Sequence, residues 1–84
     1  MPTIARFGGM TCTMYYADHL PPHFHVRYGS HVAVIRIDPA MIDEGSLPRP
    51  AERQVLDWTR KRQGALLDNW ERAQRHEPLK EIRP

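Results

Sequence analysis

The period of the apolar residues changes at about Pro50, and this change constrains the fold more than any other feature of the sequence. Before Pro50, short runs of alternating apolar and polar residues end in glycine or proline, a pattern typical of β-strands. After Pro50, apolar residues recur with a period of about 3.6 residues, which indicates an amphipathic helix. We therefore expect an α+β fold, in which a small antiparallel sheet of two hairpins packs against one long C-terminal helix.

The predicted sheet consists of two β-hairpins. Gly8 and Gly9 separate the strands of the first hairpin, and Gly29 with Ser30 separates those of the second. The four predicted strands span residues 3–7, 10–16, 23–28 and 31–38. Asp38-Pro39 ends the last of them, because proline has no backbone N–H to donate to a sheet.

We expect residues 1–84 to form one domain, since a chain of this length has room for a single small core. The domain divides into a β-sheet part (1–38), a connection (39–49), a helix (50–76) and a tail (77–84). The connection is predicted to be irregular, with a short extended piece near Met41-Ile42. A break near Gly64, which would give two helices, is the alternative to one continuous helix.

Composition limits the class of protein. The single cysteine, Cys12, excludes an intramolecular disulfide and fits a small buried hydrophobe. No apolar run approaches the ~20 residues of a membrane span, and no signal peptide opens the chain, so we expect a cytoplasmic protein. The net charge of +2 comes from a mild basic excess in the C-terminal part, which fits a solvated helix face as well as nucleic acid. The small size predicts support from a partner or a homo-oligomer.

The stretch HFHVRY places two histidines and an arginine on one face of a strand. Side chains alternate along a strand, so His23, His25 and Arg27 point one way while the aromatic and aliphatic residues between them point the other. Successive residues on one strand face lie roughly 6.6–7 Å apart at the Cα atoms, which allows two imidazoles to share one metal ion.

A metal site is the first interpretation of this cluster. His19 precedes two prolines that stiffen the chain, and either His19 or Asp18 can come back over the strand. The candidate ligands are therefore Asp18, His19, His23 and His25. Zinc, manganese and iron all accept such nitrogen and oxygen ligands, and the spacing does not choose among these divalent metals. The structural alternative is a proline turn beside a solvated sheet face.

Acid–base chemistry is the second interpretation, and it needs no metal. Two imidazoles supply a general base and a general acid, and an arginine stabilises a phosphorane, as RNA cleavage requires. The candidate catalytic residues are His23, His25, Arg27 and Arg62. A surface that binds without chemistry is the remaining alternative. A metal-dependent hydrolase of small molecules needs a deeper pocket than one sheet and one helix readily form.

Arg62 has an unusual position for a charged residue, because it falls inside the apolar stripe of the predicted helix, between Val55 and Leu66. A buried arginine must find an anion or another acceptor, since an unpaired buried charge is costly. Either its aliphatic stem packs while the guanidinium reaches solvent, or the guanidinium reaches the histidine cluster or an incoming phosphate.

The stretch DHLPPHFHV resembles a family of small uncharacterised bacterial proteins, a domain of unknown function. The opening PTIARFGG, the MYY before the loop, the GSLP turn and the helical VLDW and LLDNW segments extend the resemblance from Pro2 to Pro84. The signature residues of the family map onto Asp18, His19, Pro21, Pro22, His23, Phe24, His25, Val26, Trp58 and Trp70. Relatives tend to carry a histidine at the position of Arg62; if that histidine belongs to their site, its role as a metal ligand is lost here.

Members of that family are often encoded beside a second small protein, in pairs that look like toxin–antitoxin modules. The resemblance therefore implies a component of such a pair, with a small protein partner. From the residues themselves we add the hypothesis that this component acts on or binds RNA through its histidine cluster. The alternative is a non-catalytic protein-binding module, in which the histidines serve structure or metal binding.

Overall fold

Five antiparallel strands form one sheet, in which the strands follow one another in chain order. The structure is a computed structural model that describes residues 2–84. The strands are β1 (Thr3–Phe7), β2 (Met10–Thr13), β3 (His23–Tyr28), β4 (His31–Arg36) and β5 (Met41–Gly45). Both predicted hairpins are present, as β1 with β2 and β3 with β4, which confirms the predicted α+β class.

The fifth strand corrects the prediction of an irregular connection. β5 pairs antiparallel with β4, and Ile42 lies opposite Ile35. The extended piece expected near Met41-Ile42 therefore continues to Gly45. This strand lies between the prolines of the connection and contains none of them. Gly45 has a φ of 77°, and a Cβ atom there would collide with the carbonyl oxygen of Val32, so glycine ends this strand.

Two helices follow the sheet, α1 (Arg49–Lys61) and α2 (Gln63–Gln74), so the prediction of one continuous helix was wrong. The alternative, a break near Gly64, lies within two residues of the observed one. Arg62 interrupts the helical conformation with φ −117° and ψ 24°. Helix-type hydrogen bonds continue across this break, since the Arg62 N–H donates to Trp58 O and the Leu66 N–H donates to Arg62 O, both at 2.9 Å.

The helices cover one face of the sheet and leave the other face open. Phe24 and Ile35 of the sheet and Val55 and Leu66 of the helices are fully buried. The ring centroids of Phe24 and Trp58 lie 5.8 Å apart, which joins the two layers. Both tryptophans belong to this core. No helix within residues 2–84 is long and apolar enough to cross a membrane.

A C-terminal tail, residues 75–84, packs back onto both layers. The Ile82 side chain is buried, and its N–H donates a 2.7 Å hydrogen bond to Ile4 O at the edge of β1. Trp58 Nε1 donates to Arg83 O, and Arg62 donates through Nε to Arg83 O and through Nη2 to Pro84 O, both at 3.1 Å. The guanidinium of Arg62 thus finds its acceptors in the tail.

Candidate metal centre

Asp18 reaches the start of β3 because the end of α2 holds its loop. The Ala17 N–H donates a 3.2 Å hydrogen bond to Ala73 O, and Gln74 Nε2 donates one of 3.2 Å to the Asp18 carbonyl oxygen. Ala17 has a φ of 53°, in the left-handed region that costs a residue other than glycine about 1 kcal/mol. These two contacts with α2 hold the loop in a conformation that brings the Asp18 carboxylate to the histidines.

Three side chains converge at this point, Asp18, His23 and His25. One potential ligand atom from each lies within 4.8 Å of the other two. Asp18 Oδ2 is 2.9 Å from His23 Nε2 and 3.6 Å from His25 Nε2. Two imidazole nitrogens and one carboxylate oxygen therefore face a common centre, the set that transition metals accept.

His23 places both of its ring nitrogens against oxygen acceptors. Nδ1 lies 2.7 Å from the carbonyl oxygen of Pro21, which can only accept a hydrogen bond, so Nδ1 carries a proton. Nε2 faces the carboxylate of Asp18, another acceptor. Without a metal, the ring donates to both Pro21 O and Asp18 only when both of its nitrogens carry protons. A ring with a proton on Nδ1 alone can meet the carboxylate of Asp18 only through a cation that lies between Nε2 and the carboxylate. The bond from Nδ1–H to a backbone carbonyl is also the usual orienting contact of a metal-bound histidine.

His25 leaves its Nε2 atom buried and without a hydrogen-bond partner among the described residues. The carboxylate of Asp18 is nearby, but 3.6 Å is too long for a hydrogen bond. The Tyr15 ring packs edge-on against the imidazole, with centroids 4.3 Å apart. Burial, together with the charge of His23, holds the pKa of His25 below its ordinary value despite the attraction of Asp18. His25 is thus a neutral imidazole at neutral pH, the form that binds metals.

Asp18 is the charged member of the group. Partial burial raises the pKa of Asp18, but the hydrogen bond from the His19 backbone N–H and the attraction of His23 outweigh this effect, so the pKa lies below its ordinary value. The other oxygen, Oδ1, meets both the backbone N–H and the Nδ1 atom of His19, at 2.8 and 2.9 Å. Oδ2 is therefore the oxygen turned toward the two buried histidines.

The group opens into a cavity of about 540 Å³, which we call the histidine cleft. Its walls include the three converging residues together with Arg36, Asp43 and Glu44. Arg36 and Asp43 form a two-point ion pair, with Nε–Oδ2 and Nη2–Oδ1 distances of 2.9 and 2.8 Å. The cleft thus lies directly against the three converging residues.

The remaining residues singled out in the sequence occupy other positions. His19 has a side chain that is 81% exposed and contacts Asp18 from the solvent side. Arg27 is exposed on the open face of the sheet and lines a neighbouring cavity rather than the histidine cleft. Arg62 bonds to the C-terminal tail and does not line the cleft.

Four residues of the site were not predicted from the sequence, namely Tyr15, Arg36, Glu44 and Gln74. The register of the sheet brings Arg36 opposite His23, and strand alternation puts it on the face of the histidines. That signal was available in the predicted second hairpin. Glu44 could not be placed near the site because β5 was not predicted as a strand. Gln74 could not be placed there because no sequence pattern shows that the end of α2 contacts the loop of Asp18.

A comparison with protein families gives one match. The family model described as a domain of unknown function (DUF4160) matches residues 9–71, three quarters of the chain. The matched range contains the three converging residues, both tryptophans and the whole of β2 to α1. No curated protein and no solved structure gives a significant match.

Proposed function

The chain belongs to the DUF4160 family, and from that premise we propose that it is a divalent-metal-binding domain whose ligands are Asp18, His23 and His25. One observation carries the proposal: two imidazole nitrogens converge on one carboxylate oxygen, and one of these nitrogens is buried without a hydrogen-bond partner among the described residues. His23 turns Nε2 to an acceptor although its Nδ1 already carries a proton, and His25 Nε2 has no hydrogen-bond partner within residues 2–84. A cation between these atoms satisfies all three at once.

The ligand set favours a first-row transition metal over magnesium or calcium. Magnesium and calcium prefer oxygen ligands, whereas two imidazoles and a carboxylate suit zinc, iron(II) and manganese(II). Structural zinc sites are closed by four protein ligands, while catalytic sites keep a position free. Three ligands at the wall of the histidine cleft match the second type. When bound, such an ion activates water or polarises an oxygen ligand.

The test is the metal content of untagged protein, measured by elemental analysis and by titration with zinc, iron(II) and manganese(II). We expect about one ion per chain, and a loss of affinity of at least about tenfold in His25→Ala. His31→Ala is the matched control, since His31 is an exposed histidine at the start of β4. Failure of all three metals to bind at micromolar concentrations would overturn the proposal, as would equal affinity in His25→Ala.

Acid–base cleavage of RNA, within a toxin–antitoxin-like pair, is the second candidate function. It is favoured by the different surroundings of the two adjacent imidazoles, because His25, whose pKa lies below its ordinary value, can act as base while His23, 2.9 Å from Asp18, acts as acid. Cleavage of single-stranded RNA that persists in EDTA and is lost in His25→Ala would support this function. Cleavage that requires added metal would instead show that the activity depends on the proposed metal site.

A non-catalytic protein-binding module is the remaining alternative. Such a module binds its small protein partner equally well before and after His25→Ala, provided that thermal unfolding shows an intact fold. Loss of partner binding together with loss of metal would instead make the metal centre part of the interface.

A further inference from the structure

The open face of the sheet carries a second cavity of about 480 Å³, which we call the sheet groove. The histidine cleft and the sheet groove meet, because the walls of both include Tyr15, His25, Val34 and Glu44. His25 therefore lies where the proposed cation site adjoins a second concave surface. The volume falls within the roughly 300–1,000 Å³ of small-molecule sites.

The groove has an apolar floor with a cation at one end. In the register of β3 and β4, Val32 lies opposite Arg27 and Val34 lies opposite His25. Val32 is 57% exposed, which is high for a valine in a strand that two other strands flank. Arg27 is exposed, and within residues 2–84 it forms no ion pair with a carboxylate. Arg27 and His25 lie about 7 Å apart along the strand face.

We propose that the sheet groove binds a small monocarboxylic acid with an apolar body and a neutral oxygen donor at its far end. The carboxylate pairs with the free guanidinium of Arg27, and the body lies along Val32 and Val34. The far oxygen reaches the ion at His25, and this part rests on the proposed metal function. Glu44 lines the same end and, with Asp18, offsets the charge of the proposed ion, which favours a neutral donor over a second carboxylate.

The test uses two acids that differ in one group, hexanoate and 6-hydroxyhexanoate, with 1-hexanol as the analogue without a carboxylate. The valine methyl groups are followed by NMR during titration of each compound into the full chain. For hexanoate and metal-free protein, we expect saturable shifts confined to Val32, Val34 and their neighbours. Arg27→Gln should weaken this binding at least fivefold, while Arg60→Gln, an exposed arginine on α1, should leave it unchanged.

Metal dependence separates the two proposals. With zinc bound, 6-hydroxyhexanoate should bind more tightly than hexanoate, and this advantage should disappear in His25→Ala. If zinc does not bind at all, the metal function fails, and the hexanoate titration still decides whether the groove is a carboxylate site. The groove proposal is overturned if hexanoate shifts neither valine, if Arg27→Gln binds it as well as wild type, or if 1-hexanol binds equally. Valine shifts that follow protein concentration instead of ligand would identify a second copy of the chain as the occupant.

Discussion

The Nε2 atom of His23 lies 2.9 Å from Oδ2 of Asp18, so a strand residue and a loop residue share the centre of the site. The hydrogen bonds of the sheet hold His23 in place. Asp18 has no such support and depends on two contacts between its loop and the end of α2. The position of Asp18 is therefore the more sensitive of the two to changes outside the site.

Gln74→Ala tests that dependence. The substitution removes the hydrogen bond to the Asp18 carbonyl oxygen without touching a ligand atom. Loss of an orienting contact of this kind lowers metal affinity by about tenfold. The measurement is isothermal titration with zinc, and the control is Gln54→Ala, an exposed glutamine on α1. Unchanged affinity in Gln74→Ala would mean that the loop holds Asp18 without α2.

Replacing His23 should affect the fold more than replacing His25. His23 is only 5% exposed and packs on the Trp70 ring, with centroids 5.2 Å apart, whereas His25 is half-buried. His23→Ala removes this packing and the partly buried hydrogen bond to Asp18, so we expect a loss of about 1–3 kcal/mol in the free energy of unfolding. Urea unfolding of metal-free protein measures it. An equal or larger loss in His25→Ala would contradict the assignment.

Cys12 should be inert in the folded chain. Its side chain is fully buried in the sheet, and burial raises the pKa of the thiol to about 12. The thiolate is the reactive form, and at pH 8 a thiol with so high a pKa stays protonated. We expect no reaction with a colourimetric thiol reagent at pH 8 in native protein and complete reaction in guanidinium chloride. Rapid labelling of the native chain would show that β2 opens readily.

Arg62→Ala should loosen the C-terminal tail and leave the proposed metal centre unaffected. The guanidinium donates two hydrogen bonds to tail carbonyls, so we expect a loss of about 1 kcal/mol of stability. Thermal unfolding and zinc titration of the same variant separate the two effects. A drop in zinc affinity at unchanged stability would instead link Arg62 to the site.

Local patterns in the sequence predict much of the sheet and both ends of the helical region. Strand alternation places His23 and His25 on one face, and the glycine pairs mark both hairpin turns. β5 escaped prediction because its pairing with β4 is a tertiary contact, while prolines on either side favour an irregular segment. The sequence suggests a helix break near Gly64 only as an alternative, whereas the structure has it at Arg62. The tail carbonyls that accept the hydrogen bonds of Arg62 are remote in the sequence, so this contact could not be predicted from local patterns.

Which of the four candidate ligands come together also depends on tertiary structure. Asp18 and His19 are neighbours, and sequence spacing gives either one access to the strand. The contacts of Ala17 and Asp18 with α2 turn the carboxylate inward and leave His19 in solvent. Such a choice rests on residues more than fifty positions away, which no local pattern contains.

The hydrogen bond from Ile82 to Ile4 has a consequence for behaviour at high concentration. β1 is an outer strand of the sheet, and an outer strand with free backbone groups can pair with the same strand of another molecule. The tail occupies part of that edge and buries an isoleucine beside it. The tail therefore covers part of an edge that could pair with another molecule, and we expect its removal by a protease to increase aggregation at high protein concentration.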